Sequence, residues 1–303
     1  MSEKTQKKTR WVSYAPAALV VLGIVALVVG AFAMSSGGGS SESAQRPYVG
    51  GDLHSLAVDP TNPDKVMVGG HEGGAISEDG GKTWVEASGL EGGDPMGWEV
   101  DPTNPQKMYA GGHPGFFRSE DGGESWTTDN SGLPGTDVHG LGMDPSNPET
   151  LYAYVVDEGL LRSPDAGESW EKVNGDYGAM GPILVDPRDG ETLYLAGMDG
   201  RFRKSTDGGK SWERIGTIPG EMVMSSAQVR RDPETFYAAG GGVFKSTDGG
   251  ESWQPIGDGL PQNVSVVAVA QGDPSVVYAG ALGTDGVAVF RSDDGGGSWE
   301  AQN

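Results

Sequence analysis

One short string recurs six times along this chain. It reads SEDGGKTW from Ser77, SEDGGESW from Ser119, SPDAGESW from Ser163, STDGGKSW from Ser205, STDGGESW from Ser246 and SDDGGGSW from Ser292. Successive starts lie 42, 44, 42, 41 and 46 residues apart. A period of that length restricts the fold to architectures that stack one supersecondary unit repeatedly, because a lone unit of this size cannot bury its apolar face. The boxes contain six of the eight tryptophans (Trp84, Trp126, Trp170, Trp212, Trp253 and Trp299) and 12 of the 52 glycines, so much of the unusual composition is the repeat itself.

Within each unit, alternation and turn residues mark four strands. The first is short and apolar (Leu53–Val58, Val138–Met143, Val264–Val269) and often ends in Asp-Pro, as at Asp59-Pro60, Asp101-Pro102, Asp144-Pro145 and Asp186-Pro187. A second strand carries Val66-Met67-Val68 or Leu151-Tyr152-Ala153. A third runs into the box (Gly115–Ser119, Gly242–Ser246), and a fourth starts at the tryptophan. Four antiparallel strands per period, read six times, predict an all-β fold: a six-bladed β-propeller over 47–303.

The boxes resemble the Asp-box (BNR) repeat, Ser/Thr-x-Asp-x-Gly-x-Thr/Ser-Trp, and all six match at each of those positions. The resemblance implies a hairpin between third and fourth strands, in which Asp79, Asp121, Asp165, Asp207, Asp248 and Asp294 are structural. A carboxylate there can accept from turn amides, glycine supplies a positive φ, and tryptophan packs between blades. Calcium binding is the less favoured reading, because an EF-hand-like loop needs further ligands and a distal bidentate Glu. Families sharing the repeat include sialidases, xyloglucan-degrading glycosidases, sorting-receptor ectodomains and photosystem II assembly factors. The Arg-Ile-Pro segment expected of a sialidase is absent. The basic residues Arg118, Arg162, Lys204, Lys245 and Arg291 share one repeat position, immediately before the box Ser, which marks scaffold and not a substrate clamp. The basic patch expected of the photosystem factors has no counterpart in a chain of net charge -22.

The N-terminus is read separately from the repeat. Lys4, Lys7, Lys8 and Arg10 precede an uncharged stretch from Trp11 to Ser41 with an apolar core, Ala17–Ala33. With its flanks, this core reaches the ~20 residues that span a bilayer. The basic flank stays inside. The expectation is a cytoplasmic tail (1–11), a single transmembrane helix (12–34), a Gly/Ser linker (35–46) and a propeller outside the cell membrane. A cleaved signal peptide is the alternative, since Ala31-Phe32-Ala33 fits a small-x-small site. Beyond residue 44 stand 17 basic and 41 acidic residues, which excludes a broad nucleic-acid surface. The absence of Cys excludes disulfides, thiol catalysis and Cys-based metal sites.

Two sets of residues remain on the face opposite the boxes. The turn between second and third strands holds His71, His113, Asp157, Asp199, Gly240 and Gly286, with Glu72, Glu158 and Arg201 nearby. They are either polar hairpin tips or a ring around a ligand. Counting back thirteen residues from Met67, Tyr109, Tyr152, Tyr194, Tyr237 and Tyr278 gives His54, Met96, His139, Gly181 (beside Met180), Met224 and Ser265 at the start of the innermost strand. Met222 is close by. Imidazole with thioether suits copper(I), so His54, His139, Met96 and Met224 are the candidate metal ligands; the alternative is a channel plug in which Met is chosen for its pliability. No cofactor is required by the sequence.

A glycosidase needs two carboxyl groups about 5–9 Å apart. Glu72, Glu91, Asp94, Glu99, Asp157, Glu158, Asp199 and Glu221 lie on the right face, and Glu99, within an innermost strand, is the catalytic candidate. Alternation places its neighbour Trp98, a conceivable sugar platform, on the other side of the strand. The sequence therefore favours a binding or assembly module for a protein or carbohydrate, with a glycoside hydrolase-like enzyme second and copper binding third.

Overall fold

The computed structural model describes residues 46–47, 49–175, 180–283 and 286–302. The chain divides into the segment Met1–Ser43 and the unit Ala44–Asn303. The expected tail, transmembrane helix and nearly all of the linker lie outside the described residues, as does Tyr48. Among the described residues, no helix is long and apolar enough to cross a membrane.

Those residues form six four-stranded antiparallel sheets and no helices. Each sheet takes its four strands consecutively from the chain. The blades run Ser55–Glu86, Asp94–Thr128, Val138–Asn174, Leu184–Thr217, Ser225–Pro255 and Val264–Ala301. The innermost strand of each blade touches that of the next, and the strand of blade 6 returns to touch that of blade 1, so the sheets close a ring. The strands at Val138–Met143, Val264–Val269 and Gly115–Ser119 fall where the sequence places them; the fourth strands begin one residue after the box tryptophan, at Val85 and Thr127.

Blade packing explains the pattern of burial. Second strands such as VMVGG in blade 1 and LYLA in blade 4 are buried throughout, because a neighbouring blade covers each face. The outermost strands are two residues long and exposed in blades 1, 2, 5 and 6, which leaves little edge for unwanted pairing. Six apolar clusters fill the six junctions. Each box tryptophan packs in the cluster shared with the preceding blade: Trp126 against Met67 and Ile76 of blade 1, Trp253 against Phe202 of blade 4, and Trp84 against Val266 and Val289 of blade 6.

The box chemistry is the same in all six copies. In blade 3, Ser163 Oγ accepts from Gly167 N at 2.7 Å and donates to Asp165 Oδ1 at 2.8 Å. Asp165 in turn accepts from Ser169 N and Ser169 Oγ at 2.9 and 2.6 Å. The hydroxyls of Ser125 and Ser211, the largest influence on Asp121 and Asp207, hold those carboxyls down at about 2, and Ser292 with Ser298 does the same for Asp294. The tryptophan Nε1 donates to the box glycine carbonyl, except that Trp299 donates to Ile256 O of blade 5. Glycine is obligatory at Gly250: its φ is +90°, and a Cβ would sit 2.3 Å from Phe202 of the preceding blade. The repeated cations before the box Ser are scaffold too. Arg118, Lys204, Lys245 and Arg291 lie over Tyr109, Tyr194, Tyr237 and Tyr278 at 5.8, 5.6, 5.0 and 5.6 Å.

Among the described residues, the first and last sheets each take all four strands from their own blade, and Val287 N of blade 6 donates to Pro47 O at 3.5 Å. Residues 46–47 and 49–53 lie along the seam: Val49 O accepts from Glu72 N of blade 1, and Leu53 O accepts from Ser265 Oγ of blade 6. Val49 and Leu53 fill the cluster between those blades. Tyr278 Oη donates to Pro63 O across the seam, as Tyr152 Oη does to Gly190 O between blades 3 and 4.

Candidate functional site

The turns between second and third strands and the loops between blades share one end of the ring, the mouth. Innermost strands run from there toward the box end. The position found by counting back thirteen residues is a special one. Met96, His139 and Ser265 each occupy a β-bulge, where the register with the second strand slips. A bulge kinks the strand and re-aims the side chain it carries. Met96 is buried; His54, His139, Met180, Met224 and Ser265 are half-buried.

Contacts sort the candidates by blade. His54 Nδ1 lies 2.8 Å from Asp94 Oδ1, the first residue of the innermost strand of blade 2. That bond, opposed by burial, raises the pKa of His54. His71, from the second-to-third-strand turn of blade 1, meets the His54 ring edge-on at 4.4 Å between centroids. Its Nε2 lies 3.5 Å from Asp94 Oδ2, and its Nδ1 lies 3.3 Å from Asp52 Oδ2. The two sequence-derived sets therefore meet in blade 1, and Asp94 and Asp52 join them. His139 is held elsewhere, by Asp137 Oδ1 at 2.8 Å from its Nε2. His54, His71 and His139 thus each have a carboxylate partner. His113 and Asp157 are exposed at the turn tips of blades 2 and 3. Asp199 pairs with Arg201 and Arg203 at 3.4 and 3.0 Å. Glu158 reaches Lys172 at 3.9 Å.

Deeper in the channel lies a cavity of about 120 Å³, lined by all six innermost strands through Val58, Glu99, Met143, Val185, Gln228 and Val267, and by Arg230 and Gln271 of the turns that follow two of them. Glu99 points into it, with Oε2 4.0 Å from Arg230 Nη2, and the two side chains are 15% and 24% exposed. Burial pushes the Glu99 carboxyl up to about 7, against the pull of Arg230 and of the Met143 backbone. Burial also lowers the pKa of Arg230, against the attraction of Glu99. Trp98 is no sugar platform: its Nε1 donates to Ser55 Oγ at 2.8 Å, and its ring packs on Trp126 between blades 1 and 2.

Arg230 and Asp52 were not evident in the sequence as site residues. Arg230 enters the channel through a slip in the Asp-Pro turn. Backbone N of Asp59, Asp101, Asp144 and Asp186 donates to the carbonyl six residues on, and Val229 and Ala270 make the same bond. Arg230 and Gln271 therefore stand where Pro60, Pro102, Pro145 and Pro187 stand in the other blades. The signal was available: counting back eight residues from Tyr237 reaches Val229, whereas the same count from Tyr152 reaches Asp144. Gln271 secures the turn, accepting from Arg230 N at 2.9 Å and donating to Gln228 O at 2.8 Å.

Comparison with known proteins agrees with this geometry. The BNR/Asp-box repeat family model matches residues 244–255, which contain the fifth box. No curated protein sequence gives a significant match. Among solved structures, a GH74 xyloglucanase from Xanthomonas campestris aligns with TM-score 0.58 and 21% identity, over 86% of this chain and 46% of that one. YCF48 bound to D1 peptide aligns with TM-score 0.52 and 16% identity over 85% of this chain and 82% of that one. U3-55K aligns with TM-score 0.53 and 16% identity over 86% and 84%. The chain thus spans less than half the length of the xyloglucanase, and these likenesses concern the fold. Fold and boxes together define a six-bladed repeat propeller. The chain is a β-propeller of the BNR/Asp-box type, a fold found in both a hydrolase and a peptide-bound protein.

Proposed function

We propose that the propeller is a non-catalytic binding or assembly module that takes a protein ligand on its mouth face. One observation carries this reading. Among the described residues, the exposed large hydrophobic side chains are Val85, Met198 and Met222, at 73%, 43% and 64% exposure. Two of the three, Met198 and Met222, stand in mouth-face loops of blade 4 and of the blade 4–5 connection. Both are methionines, whose flexible, polarisable side chain adapts to varied partners. The structure of YCF48 with a peptide supports the class of ligand.

The hydrolase alternative draws support only from the likeness to GH74 enzymes. Glu99 is the sole carboxylate among the residues lining the channel cavity, so that cavity lacks the second carboxyl group a glycosidase requires. The test is site-specific photocrosslinking of the full chain in its native cells. A crosslinker at Met222 should give discrete protein adducts that one at Val85 does not; equal patterns from both would refute a mouth-face partner. A polysaccharide panel with a reducing-sugar assay tests the alternative. Sugar release lost in Glu99→Gln would overturn the non-catalytic reading.

A further inference from the structure

The mouth of blade 1 holds more than a pair of histidines. One ligand atom from each of Asp52, His54 and His71 lies within 4.8 Å of the other two. They come from three separate pieces of chain: the strap before blade 1, the start of its innermost strand, and the turn between its second and third strands. Asp94 of the next blade adds a fourth group. Its Oδ1 faces His54 Nδ1 at 2.8 Å and its Oδ2 faces His71 Nε2 at 3.5 Å. A single carboxylate therefore faces one nitrogen of each imidazole, and His54 Nε2 and His71 Nδ1 are the nitrogens that do not face it. Asp52 Oδ2 stands 3.3 Å from that same His71 Nδ1.

We propose that Asp52, His54 and His71 bind one divalent first-row transition-metal ion of the zinc type, with Asp94 as the carboxylate that orients both imidazoles. Two donors at about 2.0–2.1 Å from a tetrahedral ion are about 3.4 Å apart, which the separation of Asp52 Oδ2 and His71 Nδ1 already matches. Metal-bound histidine commonly gives its other N–H to a carboxylate, and here one carboxylate serves two rings. The donors are nitrogen and oxygen, which suits zinc or another borderline cation better than copper(I). Asp52 and His71 are 59% and 50% exposed, so both can close the remaining distance and the ion keeps a position open to solvent. The site is independent of the methionine surface on blades 4 and 5.

Calorimetric titration of the untagged full chain with ZnCl₂ tests this, with MgCl₂ and copper(I) as comparisons. We expect one saturable zinc site per chain, no magnesium uptake, and Co²⁺ absorption of tetrahedral form. His71→Ala and Asp52→Asn, both at exposed positions that the fold does not need, should each weaken zinc binding at least ~10-fold. Asp94→Asn should weaken it while leaving the stoichiometry at one. His139→Ala should change nothing. Absence of saturable zinc uptake, uptake unaltered by His71→Ala, or tighter copper(I) binding lost in His139→Ala would overturn the assignment.

Discussion

Replacing Glu99 by Gln should make the propeller more tolerant of rising pH. The carboxyl has an ordinary value of 4.5 in the unfolded chain and is pushed to about 7 in the channel, chiefly by burial. Between those values the unfolded chain has released the proton and the folded chain has kept it. Unfolding therefore releases a proton, and stability falls as pH rises through the window. Above 7 both states are ionised and the penalty is constant. A shift from 4.5 to about 7, at 1.36 kcal/mol per pH unit, corresponds to about 3 kcal/mol. Glutamine cannot ionise, and Arg230 faces a neutral partner in the variant at every pH, as it does in the parent near pH 4.5. The informative quantity is thus the difference between parent and Glu99→Gln in denaturant-unfolding free energy, measured from pH 4.5 to 8. Relative to the variant, the parent should lose about 3 kcal/mol by pH 7 and no more beyond it. A flat difference would show that the channel does not desolvate Glu99. A parent that gains stability with pH would show that attraction to Arg230 outweighs burial.

Three further outcomes follow from the packing and the boxes. Ser163→Ala leaves the buried Gly167 N–H without its acceptor and should cost about 1–3 kcal/mol by denaturant melt. Trp253→Ala empties part of the junction between blades 4 and 5 and should cost about 3–5 kcal/mol, with hydrogen exchange rising first in those two blades. The box carboxyls at about 2 lie below their unfolded values, so their contribution is present above pH 3.8 and lost as pH falls toward 2. Circular dichroism should accordingly place acid unfolding within that interval; unfolding complete above pH 4 would exclude the boxes as its cause.

Much of this architecture is legible in the sequence because a repeat exposes its own rules. Six boxes state the blade number, and the spacing from Tyr109 or Tyr152 back to Met96 or His139 picks out the bulge that aims a side chain at the mouth. What the repeat cannot state is contact between blades. His54 meets Asp94, 40 residues away, only because blade 2 packs beside blade 1. Asp52 precedes the first unit, so no comparison of units could select it. Arg230 is hidden by the displaced Asp232-Pro233, which imitates the turn of other blades at the wrong distance from the strand. His139, at the equivalent position of blade 3, has a partner two residues away, Asp137, and equivalence of position says nothing of such local pairing.

The seam between the first and last blades is built like the junctions between blades 3 and 4 and between blades 5 and 6, by an apolar cluster and a tyrosine hydroxyl on a neighbouring carbonyl. Among the described residues each sheet takes all four of its strands from its own blade, so the ring is a string of whole beads and not a belt with a buckle. A permuted chain that joins residues 46 and 302 and is cut between any other two blades would keep each sheet intact. Such permutants should fold, and blades could be gained or lost over evolution without any sheet having to be shared out between distant parts of the chain.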